Sequence, residues 1–168
     1  MPSNRKEKGN RGERELSKLL SPLFGGNFAR VPTSGAMVGG KNAFRRETLS
    51  DTQNKIFKGD LIPPDHMPHC VLECKSYKDF LFHQLITPNA CPQLDEWIQQ
   101  TLECVDEGDC WFVCIKITRL GWFICVPDSI DYQFGNYARY SGTLGTFRIT
   151  GMNEFFKTNR EMVLRLSA

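Results

Sequence analysis

A chain of 168 residues with 40% apolar and 24% charged side chains has the size and composition of one ordinary globular domain, long enough to bury a real core. No apolar run approaches the ~20 residues that span a bilayer, and the polar, basic N-terminus has no apolar segment of a secretory signal behind it. A net charge of +2 excludes little, but its distribution is uneven: Met1 to Lys18 carries six basic and three acidic residues, Lys41 to Lys58 five and two, Arg139 to Arg165 five and two, and Pro88 to Cys110 six acidic and no basic one.

Such segments either polarise the folded surface, as a phosphate-backbone binder needs, or scatter as solvated positions. The seven cysteines fall mostly inside apolar strand-like runs (Cys70, Cys74, Cys114, Cys125), where a reduced thiol acts as a small hydrophobe. A reducing cytoplasm, no disulfides and no membrane partner are expected. A zinc site from His66, His69, Cys70 and Cys74 has no C-x-x-C pair to support it.

In chain order, residues to about Lys8 read as a frayed basic arm. Arg11 to Phe24 reads as a helix, because Leu16, Leu19, Leu20, Leu23 and Phe24 recur at helical spacing. Glu13 continues that apolar stripe and therefore needs a partner: the helix dipole, a lysine or a metal. Gly25 and Gly26 end the helix, after Pro22. Asn27 to Val31 is a short strand, turned by Pro32 to Ala36. Arg30 and Ser34 flank it; Ser34 serves either a phosphate or the turn itself. Met37 to Phe57 has no sustained period and reads as a long basic loop, with Lys41, Arg45 and Arg46.

Lys58 to Ile62 and Cys70 to Lys75 read as two strands around a Pro63-Pro64 turn. Strand side chains alternate faces, so Cys70, Leu72 and Cys74 share one face and Val71, Glu73 and Lys75 the other. Charges on such an apolar strand cost several kcal/mol unless paired. Asp60 on the neighbouring strand supplies a second carboxylate. Two carboxylates and a lysine at a strand end make a site for a hard cation that keeps waters for a phosphate. The plainer reading of an isolated Asp…Glu-x-Lys is an accidental Glu–Lys pair on an exposed face.

Pro92 to Val105 reads as a second helix, with Leu94, Trp97, Ile98, Thr101, Leu102 and Val105 inward and an acidic outer face. Trp111 to Thr118 and Trp122 to Val126 are strong strands around a tight turn. Pro127 to Gly142 reads as loop, its four aromatics (Tyr132, Phe134, Tyr137, Tyr140) either stacking on bases or anchoring the loop. A further strand, Thr143 to Ile149, and a last helix, Met152 to Thr158, complete an α/β domain with a mixed sheet flanked by helices. The whole chain is one domain: arm 1–8, loop 37–57, extension 127–168.

The ordered set Lys8-Gly9-Asn10-Arg11-Gly12-Glu13-Arg14-Glu15-Leu16, Arg30…Ser34-Gly35, Gly59-Asp60-Leu61 and Leu72-Glu73-Cys74-Lys75 resembles the archaeal-type Holliday-junction resolvases of the PD-(D/E)XK nuclease superfamily. The likeness runs from about Lys8 to Val126. It implies a restriction-endonuclease-like fold and a homodimeric, Mg²⁺-dependent endonuclease acting on branched DNA, with Mn²⁺ able to substitute. It further implies Asp60, Glu73 and the Cys74 carbonyl as metal ligands. Glu13 would join them through water, Lys75 would orient the attacking water, and Ser34 would sit near the scissile phosphate. Lys8, Arg11, Arg30, Ser34, Lys41, Arg45, Arg46 and Lys58 are the expected DNA contacts. Two departures stand out: Gly59 replaces the usual proline before the aspartate, and the 37–57 loop is longer than the family's. Rival readings are a nuclease of the same fold with another substrate (restriction, repair or nicking), a DNA-binding module without cleavage, or an interaction protein using the acidic helix.

Overall fold

The computed structural model describes residues 3–32, 47–50 and 56–168, with side chains from residue 7 onward. Helix α1 spans Ser3–Phe24, followed by strands β1 (Ala29–Arg30), β2 (Leu61–Ile62) and β3 (Cys70–Tyr77). A short 3₁₀ turn (Phe82–Leu85) leads to helix α2 (Pro92–Leu102), then β4 (Cys110–Ile117), β5 (Gly121–Pro127), β6 (Ala138–Gly142) and β7 (Gly145–Gly151). Helices α3 (Met152–Thr158) and α4 (Arg160–Ser167) close the chain.

The main sheet has five strands in the order β3-β4-β5-β7-β6. β3 and β4 run parallel with Val71 opposite Trp111 and Lys75 opposite Ile115, and the remaining pairs are antiparallel. A parallel pair needs a crossover, and α2 supplies it. β1 and β2 form an antiparallel ribbon that lies along the outer edge of β3, joined to it by the Asp60 N–H donating to the Leu72 carbonyl at 2.8 Å. The fold is therefore the mixed sheet flanked by helices that the sequence led us to expect.

Alternation along β3 and β4 sorts the core into two layers. Leu72, Phe112, Cys114, Ile124 and Val126 pack with Leu16, Leu20 and Phe24 of α1 and Phe155, Phe156 and Val163 of α3 and α4. Val71, Val113, Ile115 and Ile117 pack with Leu94, Trp97 and Ile98 of α2. β4 is covered on both sides, which is why its sequence is an almost unbroken apolar run. All seven cysteines are free thiols.

Several boundaries differ from expectation. α1 starts at Ser3 instead of Arg11, so the expected arm is continuous helix. Its first residues show no apolar period, yet Arg, Lys and Glu are good helix formers. α2 stops at Leu102, before Val105. Ala138–Gly142 is a strand and not loop, hairpin-paired to β7. Tyr140 and Tyr132 are buried and Tyr137 is half-exposed, so two of the four aromatics are anchors. α4 was not anticipated at all. The expected 37–57 loop falls largely outside the described residues.

Candidate active site

The site is built where the ribbon meets β3. Lys58, Gly59 and Asp60 enter it through a bend. Gly59 has φ of 66°, and a Cβ there would stand 2.4 Å from the Leu72 carbonyl oxygen. Backbone approaches backbone so closely that only glycine fits, which explains the residue found in place of proline. The approach sets Asp60 against β3: its N–H reaches the Leu72 carbonyl at 2.8 Å, and its Oδ2 accepts the Cys74 N–H at 2.8 Å. A strand residue's N–H and C=O point to the same side. The Cys74 carbonyl therefore opens on the edge that Asp60 occupies.

Glu73 and Lys75 stand on the α2 face of β3. Lys75 Nζ lies 2.7 Å from Glu73 Oε1 and 2.6 Å from Gln100 Oε1 of α2. Gln100 was not singled out from sequence; its only signal was its place on the helix that crosses over β3. Asp60 and Glu73 are 6% and 8% exposed. Burial pushes the Asp60 carboxyl up to about 7, and the charges of Glu73 and Glu13 push the same way. The Cys74 N–H and the Lys75 ammonium oppose them without prevailing. Burial alone would lower Lys75, but the charge and hydrogen bond of Glu73 overrule it and hold the ammonium above its ordinary range. The thiol of half-buried Cys74 is raised too, by desolvation and by these carboxylates, and stays protonated.

Other expected residues are placed differently. Glu13 is buried on α1 close enough to act on Asp60, but it forms an ion pair with Arg30. Arg30 also donates to Asn10 Oδ1 at 2.6 Å. Arg30, expected to contact DNA, thus answers the buried carboxylate of the helix. Lys58, also an expected DNA contact, is 7% exposed, with Nζ 2.5 Å from Asp109 and 2.6 Å from Asp106. Asp109 also meets His69 Nδ1 at 3.1 Å. The buried ammonium pins the Lys58–Asp60 bend to the turn before β4. His66 instead meets the Phe24 carbonyl at 3.0 Å, so the two histidines and their cysteines form no zinc site. Lys8 is half-buried and Arg11 exposed on α1. Ser34, Lys41, Arg45 and Arg46 lie outside the described residues.

Among the described residues, no three His, Cys, Asp or Glu side chains close on a single point as a ready metal cage. Each of the three carboxylates faces a protein partner: Cys74 N–H, Lys75 or Arg30. What the geometry brings together is one strand edge with two mutually repelling carboxylates, a backbone carbonyl and an ammonium. No helix among the described residues is long and apolar enough to cross a membrane.

Residues 4–163 match the family described as "Phage putative PDDEXK endonuclease". The match covers nearly the whole chain, and the protein belongs to that family and so to the PD-(D/E)XK nuclease superfamily expected from its motifs. The matched family is described by phage endonuclease activity and not by junction resolution. No curated protein and no solved structure matches the chain.

Proposed function

We propose that this protein is a structure-specific DNA endonuclease that hydrolyses phosphodiesters in four-way junctions, working as a homodimer with Mg²⁺, or Mn²⁺ in its place. The observation that carries the hydrolytic reading is the Asp60–Glu73 pair. Two carboxylates are forced together at a buried edge, and one is raised to about 7. Folding leaves that repulsion in place, and strongly perturbed carboxylates of this kind concentrate at functional sites. The donors fit a hard divalent ion: carboxylate and carbonyl oxygens, no thiolate. Asp60, Glu73 and the Cys74 carbonyl would hold it, with Glu13 supporting from α1. Bound there, it supplies a Lewis acid for the phosphate and lowers the pKa of a water.

The chain's own residues do the rest. Lys75, kept protonated by Glu73, points its ammonium at the same edge. It can orient the attacking water and offset charge that builds on the phosphate in the transition state. Gln100 holds Lys75 from the other side, so that the ammonium need not reorganise during the reaction. Half-buried Lys8 and exposed Arg11 of α1 provide phosphate contacts that position the substrate without reading sequence.

The test is cleavage of a synthetic four-way junction beside a linear duplex of the same sequence, with Mg²⁺ and with EDTA. Preferential, EDTA-sensitive cutting of the junction is expected. Equal cutting of both substrates would leave a nuclease but overturn the junction reading, and cutting that survives EDTA would overturn the site.

A further inference from the structure

A groove of about 480 Å³ continues from the site past the end of β3, lined by Lys8 and Gly9 of α1 and by Cys74 to Lys78. Lys75 belongs to both, so the groove begins where the carboxylates end. Three lysines (Lys8, Lys75, Lys78) and no carboxylate stand among its lining residues. Neither Lys8 nor Lys78 has an ion pair among the described residues, unlike Lys58, Lys75 and Lys116.

Tyr77, one of the lining residues, is 39% exposed. Its ring is backed by Trp97, with centroids 4.8 Å apart and planes at 39°. Trp97 is itself 1% exposed and stacks on Phe80 at 5.5 Å and 29°. The tyrosine is therefore held by a buried aromatic column on one side, while the residue stays partly exposed and lines the groove. A plain surface tyrosine would have no such support. Lysines for phosphates beside a rigid aromatic for a base are the elements of single-strand sites that do not read sequence. A base inside an intact duplex is already stacked and cannot reach the ring. The volume lies within the range of about 300–1,000 Å³ that holds a small organic ligand, enough for a nucleotide.

We propose that this groove is a single-strand subsite of the nuclease. It takes an unpaired nucleotide next to the scissile phosphate, with its base on Tyr77 and its phosphate between Lys8 and Lys78. The proposal rests on the nuclease reading and deepens it. The substrate class becomes DNA with unpaired nucleotides beside the cut, such as a frayed exchange point or a splayed end.

The experiment uses the full chain in EDTA, so that binding is read without cleavage. Two probes of equal sequence are compared: a splayed duplex with 2-aminopurine at its first unpaired position, and a fully paired duplex with 2-aminopurine at the same place. Wild-type protein should bind the splayed probe about 10-fold tighter and change its fluorescence on stacking. Tyr77→Ala should remove both the preference and the fluorescence change while binding the paired probe normally. Tyr77→Phe should keep both, and Lys8→Glu with Lys78→Glu should weaken the splayed probe most. Melting curves identify any variant that fails to fold, and the wild-type preference stands as a test by itself. Equal binding of both probes by wild type, or a preference that survives in folded Tyr77→Ala, overturns the subsite. Cleavage of DNA by the same wild-type preparation with Mg²⁺ is read separately. Cleavage without the preference sinks the subsite alone, and the preference without cleavage sinks the nuclease reading alone.

Discussion

Two aspartates lie at the margins of the sheet and meet opposite fates. Asp128, after β5, accepts from Arg139 at 3.0 Å and is also paired with Arg148. The hydrogen bond from Arg148, with that of Arg139, overrides the effect of burial and lowers its carboxyl pKa. The Arg148 guanidinium in turn lies 4.9 Å from the Phe134 ring centroid and 5.1 Å from that of Tyr137. Asp60 has no arginine. It is buried beside Glu73 and near Glu13, and its carboxyl rises to about 7. At one margin two guanidinium groups answer the aspartate, and at the other a backbone N–H and a neighbouring ammonium do not offset burial and the nearby carboxylates. A sequence under selection for stability alone would have resolved both. The unresolved margin is therefore where a ligand is expected to complete the structure.

The contrast breaks most sharply in a cleavage assay. Asp60→Asn and Glu73→Gln should each lower cleavage on the order of 10³-fold or more, while DNA binding in EDTA changes little because phosphate contacts carry affinity. Asp128→Asn should leave cleavage unchanged. Persistent cutting by the Asp60 or Glu73 variant would remove the site from this margin.

The parts legible in the sequence were those written in periodicity. The stripe of Leu16, Leu20 and Phe24, the alternation from Cys70 to Lys75 and the stripe of Leu94, Trp97 and Ile98 all pack as read. The approach of Glu73 to Lys75 was legible because strand alternation puts both on one face. Asp60, expected on a strand from Lys58 to Ile62, instead stands on a bend before the two-residue strand Leu61–Ile62. The partners of charged residues were not. Lys58 finds Asp109 across 51 positions of chain, and Arg30 finds Glu13 across 17. Nothing local distinguishes such a basic residue from one that waits for DNA. β6 was read as loop because Ala138–Gly142 offers polar residues around a single buried Tyr140. Its strand state comes from pairing with β7, a tertiary cause that outweighs propensity.

Lys58 sharpens the comparison from the side of the scaffold. Its buried ammonium faces Asp106 and Asp109, and the bend it anchors presents Asp60. Lys58→Met leaves a buried carboxylate without its cation and should cost about 3 kcal/mol of stability in denaturant unfolding. Adding Asp109→Asn should recover part of that loss, because the orphaned charge is then removed. A single variant as stable as wild type would mean that the pair does not hold the bend.

The same substitution, Asp to Asn, should act in opposite directions at the two margins when stability is followed against pH without metal. Asp60 has a folded-state pKa of about 7, above the ~3.9 of an unfolded aspartate. Folding therefore takes up protons between these values, and stability falls as pH rises through that window. Asp60→Asn removes the penalty. The variant should melt above wild type at pH 8, more stable by up to roughly 4 kcal/mol, with the gap closing toward pH 4. Mg²⁺ should narrow it from the other side by stabilising wild type alone. Asp128 carries the opposite sign: its lowered carboxyl contributes stability that is present above the unfolded value and lost as pH falls through the folded one. Asp128→Asn should therefore melt slightly below wild type at pH 8 and converge with it in acid, a small effect because exposed pairs are screened. If both variants moved the same way, Asp60 and Glu73 would not repel one another, and the argument for a cation between them would have no basis.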